Sequence, residues 1–230
     1  MKTLMIIPAY NEAENIERVV EHIRTHYPQY DYVVINDGSR DATAEICREN
    51  GYTLLDLPVN LGLAGAFQTG MRYAAVNGYD CAVQIDGDGQ HDPAYIASML
   101  ETMERDGSDI VIGSRFYEKK KPRTARMLGS SLISFAIRLT TGQKITDPTS
   151  GMRLFSRRMI GAFAAQLNYG PEPDTISHLI RSGIKVSETQ VEMHERIAGT
   201  SYLNLSRSVL YMLHMAVSIL VVQPFRKKEA

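Results

Sequence analysis

Residues 81–91 read CAVQIDGDGQH. The apolar run Cys81–Ile85 has the length of a buried strand. It ends on two carboxylates, Asp86 and Asp88, each followed by a glycine. Alternate side chains of a strand share a face, so the two acids can converge where it ends. Like charges that close drive their pKa values apart unless something positive lies between them. A hard divalent cation, Mg2+ or Mn2+, held by a few carboxylates and completed by phosphate oxygens of a ligand, fits this arrangement. The glycines let backbone and ligand approach closely. A turn in which one aspartate caps the next helix is the plainer alternative. A calcium EF-hand fits poorly, because the glycine and glutamate it needs would fall on His91 and Ala97.

Upstream of this stretch, apolar runs alternate with helical patterns. Thr3–Pro8, Tyr32–Asn36 and Tyr52–Leu57 read as strands, as does Asp109–Gly113 downstream. Between them, Ile16, Val19, Val20 and Ile23 repeat on one helical face, with Asn11 and Glu14 spaced as a capping box. A helix through Ala42–Asn50 stops at Gly51. A small-residue helix spans Ala64–Asn77, and another starts with Asp92 as cap and Pro93 in its first turn. Uniformly apolar strands alternating with amphipathic helices predict an α/β fold, with a mostly parallel central sheet covered on both faces.

Ligands bind such sheets beyond the carboxyl ends of the strands. The polar clusters fall there: Pro8–Glu12, Asn36–Ser39, Asp86–Gln90 and Gly113–Arg115. Tyr10 offers a stacking face and Glu12 an acceptor. Asp37 can accept from a base N–H, or it can cap a turn. The small residues of Asn60–Ala66, Gly65 among them, let a ligand lie against a helix N-terminus. They match neither dinucleotide nor P-loop fingerprints. Arg115 is suited to bidentate phosphate contact. Arg196, followed by Gly199, Thr200 and Ser201, offers a second phosphate cradle.

With 230 residues the chain has room for one sizeable core. A net charge of −1 gives no overall field that would favour nucleic acid. Two cysteines in apolar patterns suggest reduced thiols and a cytoplasmic setting rather than a disulfide framework. Residues 115–126 carry six Lys or Arg and one Glu and read as an exposed loop. Helical patterns follow over Met127–Thr141, Met159–Leu167 and Asp174–Ser182. Asp147–Phe155 turns into a strand, and Val186–His194 is another. Leu205–Val222 is a long helix, too short in its apolar stretch, Val209–Val222, to span a bilayer.

The motifs IPAYNE, NDGS, IDGDGQH, GSRF, DPTSGMRLF and RIAGTSY stand in the order and spacing of family 2 glycosyltransferases of the GT-A fold. The chain most resembles the branch of polyprenyl-phosphate mannose synthases and bacterial cell-wall glycosyltransferases. The resemblance implies a GT-A domain over 1–202, with a nucleotide half (1–115), an acceptor half (116–202) and a C-terminal helix over 203–230. It places Pro8, Ala9, Tyr10, Glu12 and Asp37 around a nucleoside. Asp86 goes to ribose or metal, and Asp88 with Gln90 to the metal that bridges a diphosphate. Arg115 and Arg196 would hold phosphate, and Asp147 and Arg153 would shape the acceptor side. Asn36 stands where relatives carry the first aspartate of DDGS.

The implied reaction transfers a hexose from a UDP- or GDP-linked sugar, with inversion, to a polyprenyl phosphate or a cell-surface glycan. The metal and arginines would stabilise the departing diphosphate. A hydroxyl acceptor needs a base within hydrogen-bond reach; Asp174 is the candidate, with a helix-capping role as the alternative. The apolar C-terminal helix calls for burial against a second copy, making a homo-oligomer, or contact with the inner face of the plasma membrane. In the membrane case Arg226, Lys227 and Lys228 would face headgroups. Two rival readings are a non-catalytic sugar-nucleotide-binding subunit and an Asp-x-Asp phosphohydrolase. The latter usually carries its motif near the amino terminus, followed by threonine.

Overall fold

The computed structural model describes residues 1–165, 170–194 and 205–225, with the backbone alone at 125, 126, 205–209 and 224. The strands are β1 (Thr3–Ala9), β2 (Asp31–Asn36), β3 (Leu54–Asp56), β4 (Cys81–Gln84), β5 (Ile110–Ser114), β6 (Arg153–Ser156) and β7 (Val186–Gln190). They form one sheet in the order β3-β2-β1-β4-β6-β5-β7. Every pairing is parallel except those of β6, which runs against both β4 and β5.

The helices are α1 (Ile16–His26), α2 (Thr43–Glu49), α3 (Gly62–Val76), α4 (Ile96–Asp106), α5 (Ala125–Thr141), α6 (Arg157–Ala165), α7 (Pro173–Arg181) and α8 (Leu205–Val217). The apolar strand residues sort alternately to the two faces. Leu4, Ile6, Val33, Ile35, Ala82 and Ile112 join Phe67 of α3, Ile137 of α5 and Phe163 of α6. Met5, Ile7, Val34, Cys81, Val83 and Val111 join Ile16 and Val20 of α1 and Met99 of α4. Period-two side chains on a sheet covered on both sides give this pattern, and each fully buried Ile, Leu or Phe contributes about 1.5–3 kcal/mol. Phe67, Phe155 and Phe163 meet at 5.1–5.6 Å between ring centroids, two of the three pairs edge-on.

Two local readings change. The capping box is not formed: α1 begins one turn later, with Asn15 as its cap residue. Asn11 takes φ +56°, and its Oδ1 accepts from Arg40 N–H across the neighbouring loop. A tertiary partner outcompetes the local one there. At the carboxyl end, α8 runs into a π-helical turn over Ser218–Val222. One side of this segment is covered, with Met212, Ala216 and Ile219 buried, while Leu213, Val217 and Val221 stay exposed. Cys47 and Cys81 are free and buried, and burial pushes both thiols up to about 11.

β6 positions the site by its direction. Because it is antiparallel, its first residue, Arg153, sits beside Gln84 of β4 and Ile112 of β5, near their carboxyl ends. The loop 147–152 that feeds β6 is thereby delivered to the edge where the parallel strands release their polar turns.

Candidate active site

The sheet changes direction of growth between β1 and β4, the kind of crevice where open α/β sheets bind ligands. The loop after β1 is stitched to the loop after β2. Asn11 N–H donates to Ser39 Oγ (2.9 Å), Glu12 N–H to Thr43 Oγ1 (2.9 Å) and Ala13 N–H to Asp41 Oδ2 (3.1 Å). Thr43 and Asp41 were not anticipated from the sequence, since their partners lie about thirty residues away. Pro8 and Ala9 line the β1 end, Ala9 O accepting from Asp37 N–H (2.8 Å), and the Tyr10 ring is 37% exposed. Across the crevice, a side chain at Gly87 would lie 3.2 Å from Pro8 O and 3.6 Å from Glu12 Cγ. Glu12 therefore stands against the Asp-Gly-Asp turn.

That turn is held from within. Asp88 is buried, and its Oδ1 accepts from Gln90 N–H at 3.0 Å. Asp86 is partly exposed; its N–H donates to His91 Nδ1 (3.0 Å), so Nε2 carries the proton of the neutral ring. His91 is buried against Gly151, where a Cβ would meet His91 Cε1 at 3.0 Å and Asp86 Oδ2 at 3.2 Å. His91 and Gly151 thus set the turn's shape, and neither was singled out in the sequence. Asp92 caps the following turn through Ala94 N–H (2.9 Å), as anticipated. At the far side, His194 N–H donates to Gln90 O (3.0 Å).

Several expected ligand groups are already engaged. Asp37 Oδ1 accepts from Leu61 N–H (2.7 Å), which pins the loop ahead of α3; Gly38, at φ +63°, lets that loop lie within van der Waals reach. Asn36 donates to Asp56 Oδ1 (2.6 Å), where an aspartate would face a second carboxylate. At Gly65, a Cβ would meet Leu61 Cβ at 2.4 Å, so this glycine accommodates its own helix turn rather than a ligand. Arg115 was expected to fork onto phosphate. Instead it forks onto Asp147, with Nε–Oδ2 at 2.7 Å and Nη2–Oδ1 at 2.9 Å.

Asp147 has no exposed surface. Burial pushes its carboxyl up, but the Arg115 bonds and charge outweigh burial and hold it below the usual carboxylate range. Glu188 of β7 accepts from Thr146 and Asp147 N–H (2.7 and 2.9 Å) and is itself held high by burial. Arg153 is buried too; it donates to the carbonyls of Pro148, Ser150 and Pro171. It shapes the neighbouring loops without facing a ligand. Asp174, the candidate base, is already engaged: Oδ1 accepts from Thr175 N–H (2.8 Å), and Oδ2 from Ser218 Oγ (2.8 Å) and Gln223 (3.4 Å). The α7 cap position belongs to Glu172, which accepts from the Tyr211 hydroxyl. Arg196, Thr200 and Ser201, with Arg226, Lys227 and Lys228, lie outside the described residues.

Among the described residues no three His, Cys, Asp or Glu side chains gather into a metal cage. Mg2+ or Mn2+ takes carboxylate oxygens beside a diphosphate, and the partly exposed Asp86, in one turn with the buried Asp88, fits such an ion.

This sheet order, with an acidic turn at the switch point, is that of the GT-A architecture. Solved structures carry the same fold. Glucosyl-3-phosphoglycerate synthase from Mycobacterium tuberculosis in complex with phosphoglyceric acid matches with a TM-score of 0.68 at 20% identity, covering 95% of this chain and 80% of that one. Its complex with Mn2+, uridine diphosphate and phosphoglyceric acid gives 0.66 at 19% identity, covering 96% and 78%. Residues 5–163 match the profile of glycosyl transferase family 2, and the chain belongs to that family. Undecaprenyl-phosphate mannosyltransferase of Micrococcus luteus is 30% identical over 213 residues, 87% of each chain. UDP-N-acetylglucosamine–dolichyl-phosphate N-acetylglucosaminyltransferase of Methanococcus voltae is 34% identical over 187 residues, covering 71% of this chain and 72% of its own.

Proposed function

We propose that this enzyme moves a hexose or N-acetylhexosamine, with inversion, from a nucleoside diphosphate sugar to a polyprenyl phosphate. The observation that carries the acceptor class is the engagement of both carboxylates of the Pro171–Asp174 segment: Glu172 takes the Tyr211 hydroxyl and Asp174 the Ser218 hydroxyl. A sugar or lipid hydroxyl would need such a base, whereas a phosphate monoester is already an anion and attacks without one. The names of the two relatives above, acting on undecaprenyl and dolichyl phosphate, support the same class.

The donor would lie in the β1–β4 crevice, its base beside Tyr10 and its diphosphate toward Asp86 and Asp88. A divalent ion held by those two acids, with Gln90 nearby, would supply charge neutralisation at the leaving diphosphate. Glu12, tied to Asn15 Nδ2 (2.8 Å), borders the same turn and helps set the floor of the nucleotide site. The Arg115–Asp147 pair holds the loop of Asp147–Gly151 at the sheet edge, and so positions Gly151 behind Asp86.

Turnover of UDP- and GDP-sugars with Mg2+ or Mn2+ tests this on matched acceptors, a polyprenyl phosphate and the corresponding polyprenol. Product is expected from the phosphate alone. Transfer to the alcohol at a similar rate would overturn the acceptor assignment, and nucleotide binding without any transfer would favour a non-catalytic subunit.

A further inference from the structure

Cys81 opens β4, at the end of the strand opposite the acidic turn. The register of β1 on β4 sets Thr3 beside Cys81 and so brings Met1 to the thiol, while α4 contributes Met103 from the helix that covers this face. Cys81 Sγ lies 3.6 Å from Met1 Sδ and 3.8 Å from Met103 Sδ. Among the described residues these two thioethers are the thiol's only hydrogen-bond partners. Met5 and Met99 are fully buried in the same cluster, which makes the floor apolar, and Met1 is 56% exposed on the outer side. Thiolate and thioether sulfurs are soft ligands and select Cu+ among the biological metals. A d10 ion binds sulfur at about 2.3 Å, so three sulfurs spaced evenly around it stand about 4 Å apart. The two separations from Cys81 fall just short of that spacing, and small rotations of the unbranched methionine side chains supply the rest.

We propose that Met1, Cys81 and Met103 form a site for a soft monovalent cation, Cu+ or its redox-inert counterpart Ag+. Charge decides for a monovalent ion. Cu+ on one thiolate and two neutral thioethers is a neutral unit, which an apolar floor accepts. Zn2+ or Mn2+ on the same atoms would leave a net positive charge against the core. The hard ions suited to Asp86 and Asp88 take oxygen ligands instead. Burial pushes the Cys81 thiol up to about 11, so the metal-free protein holds it as S–H. On binding, the S–H bond gives way to an S–Cu bond, the proton passes to water and copper stays in its +1 state. The exposed Met1 side chain is the entry path. The inference does not depend on the donor or acceptor assignment, because the sulfurs lie at the other end of β4 from the nucleotide crevice.

Anaerobic titration of the full chain with Cu+, in competition with the chromophoric chelator bicinchoninate, tests it. One equivalent per chain should be withdrawn from the chelator, and a large excess of Mg2+ should not displace it. Cys81→Ala should weaken binding about a hundredfold or more, and Met103→Leu, which keeps the side-chain volume, about tenfold or more. Cys47→Ala should leave it unchanged. X-ray absorption should show sulfur neighbours at about 2.3 Å from the metal. In methyl-labelled methionine NMR spectra of the unsubstituted chain, one equivalent of Ag+ should shift Met1 and Met103. The same spectra should leave Met71, Met159 and Met212, which pack on the other face of the sheet, in place. These spectra decide the matter even where Cys81→Ala lowers stability. No uptake of Cu+, uptake lost with Cys47→Ala instead, an affinity indifferent to Met103→Leu, or unmoved Met1 and Met103 methyl signals would each overturn the proposal.

Discussion

Asp147 and Arg115 form a pair whose two halves cannot be removed independently. The carboxylate has no exposed surface, and Arg115 N–H, Nε and Nη2 all donate to it. Arg115→Ala strands a buried charge and should cost about 3–5 kcal/mol of stability, read from denaturant midpoints. The pH dependence has two limbs of opposite sign. The native Asp147 carboxyl lies below its unfolded value, so its contribution is complete above the ordinary aspartate pKa and is lost as pH falls through the lower, native one. Glu188 is raised instead, so its contribution is complete below the ordinary glutamate value and declines as pH rises through the native one. Stability profiles should therefore show a flattened acid limb for Asp147→Asn below about pH 4, and a flatter course for Glu188→Gln above it. Unchanged profiles would refute these assignments. At Gly151, an alanine must displace either His91 or the Asp86 carboxylate. Turnover should fall about tenfold or more, because a small misplacement at a reacting centre is amplified, while the melting temperature changes little.

Two glycines on helices separate packing from propensity. Gly161 in α6 has open space where a side chain would go, so Gly161→Ala should stabilise by about 0.5–1 kcal/mol through helix propensity alone. Gly129 in α5 has Met212 Sδ 1.7 Å from the position of a Cβ. Gly129→Val should cost about 2 kcal/mol or more by forcing α8 away, seen as lower melting temperature and faster proteolysis near residue 205. The period of the apolar residues announced α1, which buries one stripe against the sheet, while α3 was read from its run of small residues and α4 from Asp92 and Pro93 at its start. It also announced β1, β2 and β4, whose runs are apolar throughout because both faces are covered. The start of α1 was not legible: Asn11 and Glu14 have the spacing of a cap, but Asn11 is held by Arg40 from another loop. The half-covered state of α8 was not legible either. A helix apolar all round gives no sign of which side a neighbour takes.

For the molecule as a whole, the acidic turn should be a site that the fold supports without needing it. Asp86 and Asp88 are held by His91 and by Gln90 N–H. Chelation is therefore expected to abolish turnover and the thermal shift with UDP, yet leave the melting temperature of the ligand-free protein within about one degree. Asp88→Asn should reproduce that pattern, losing about a thousandfold or more in turnover. A large drop in stability on chelation would show a structural ion instead. The sequence by itself determined the layered α/β architecture and the edge at which the polar clusters gather. Strand and helix periodicities are local, and in a parallel sheet every strand delivers its carboxyl end to one side. Only the tertiary structure decided which polar groups there remain open to a ligand. Arg115, Asp37 and Asp174 have the right chemistry, but the partners that engage them come from 24 to 49 residues away. Hydrogen-bonding capacity is written in the residue type, and its use depends on which distant segment packs alongside.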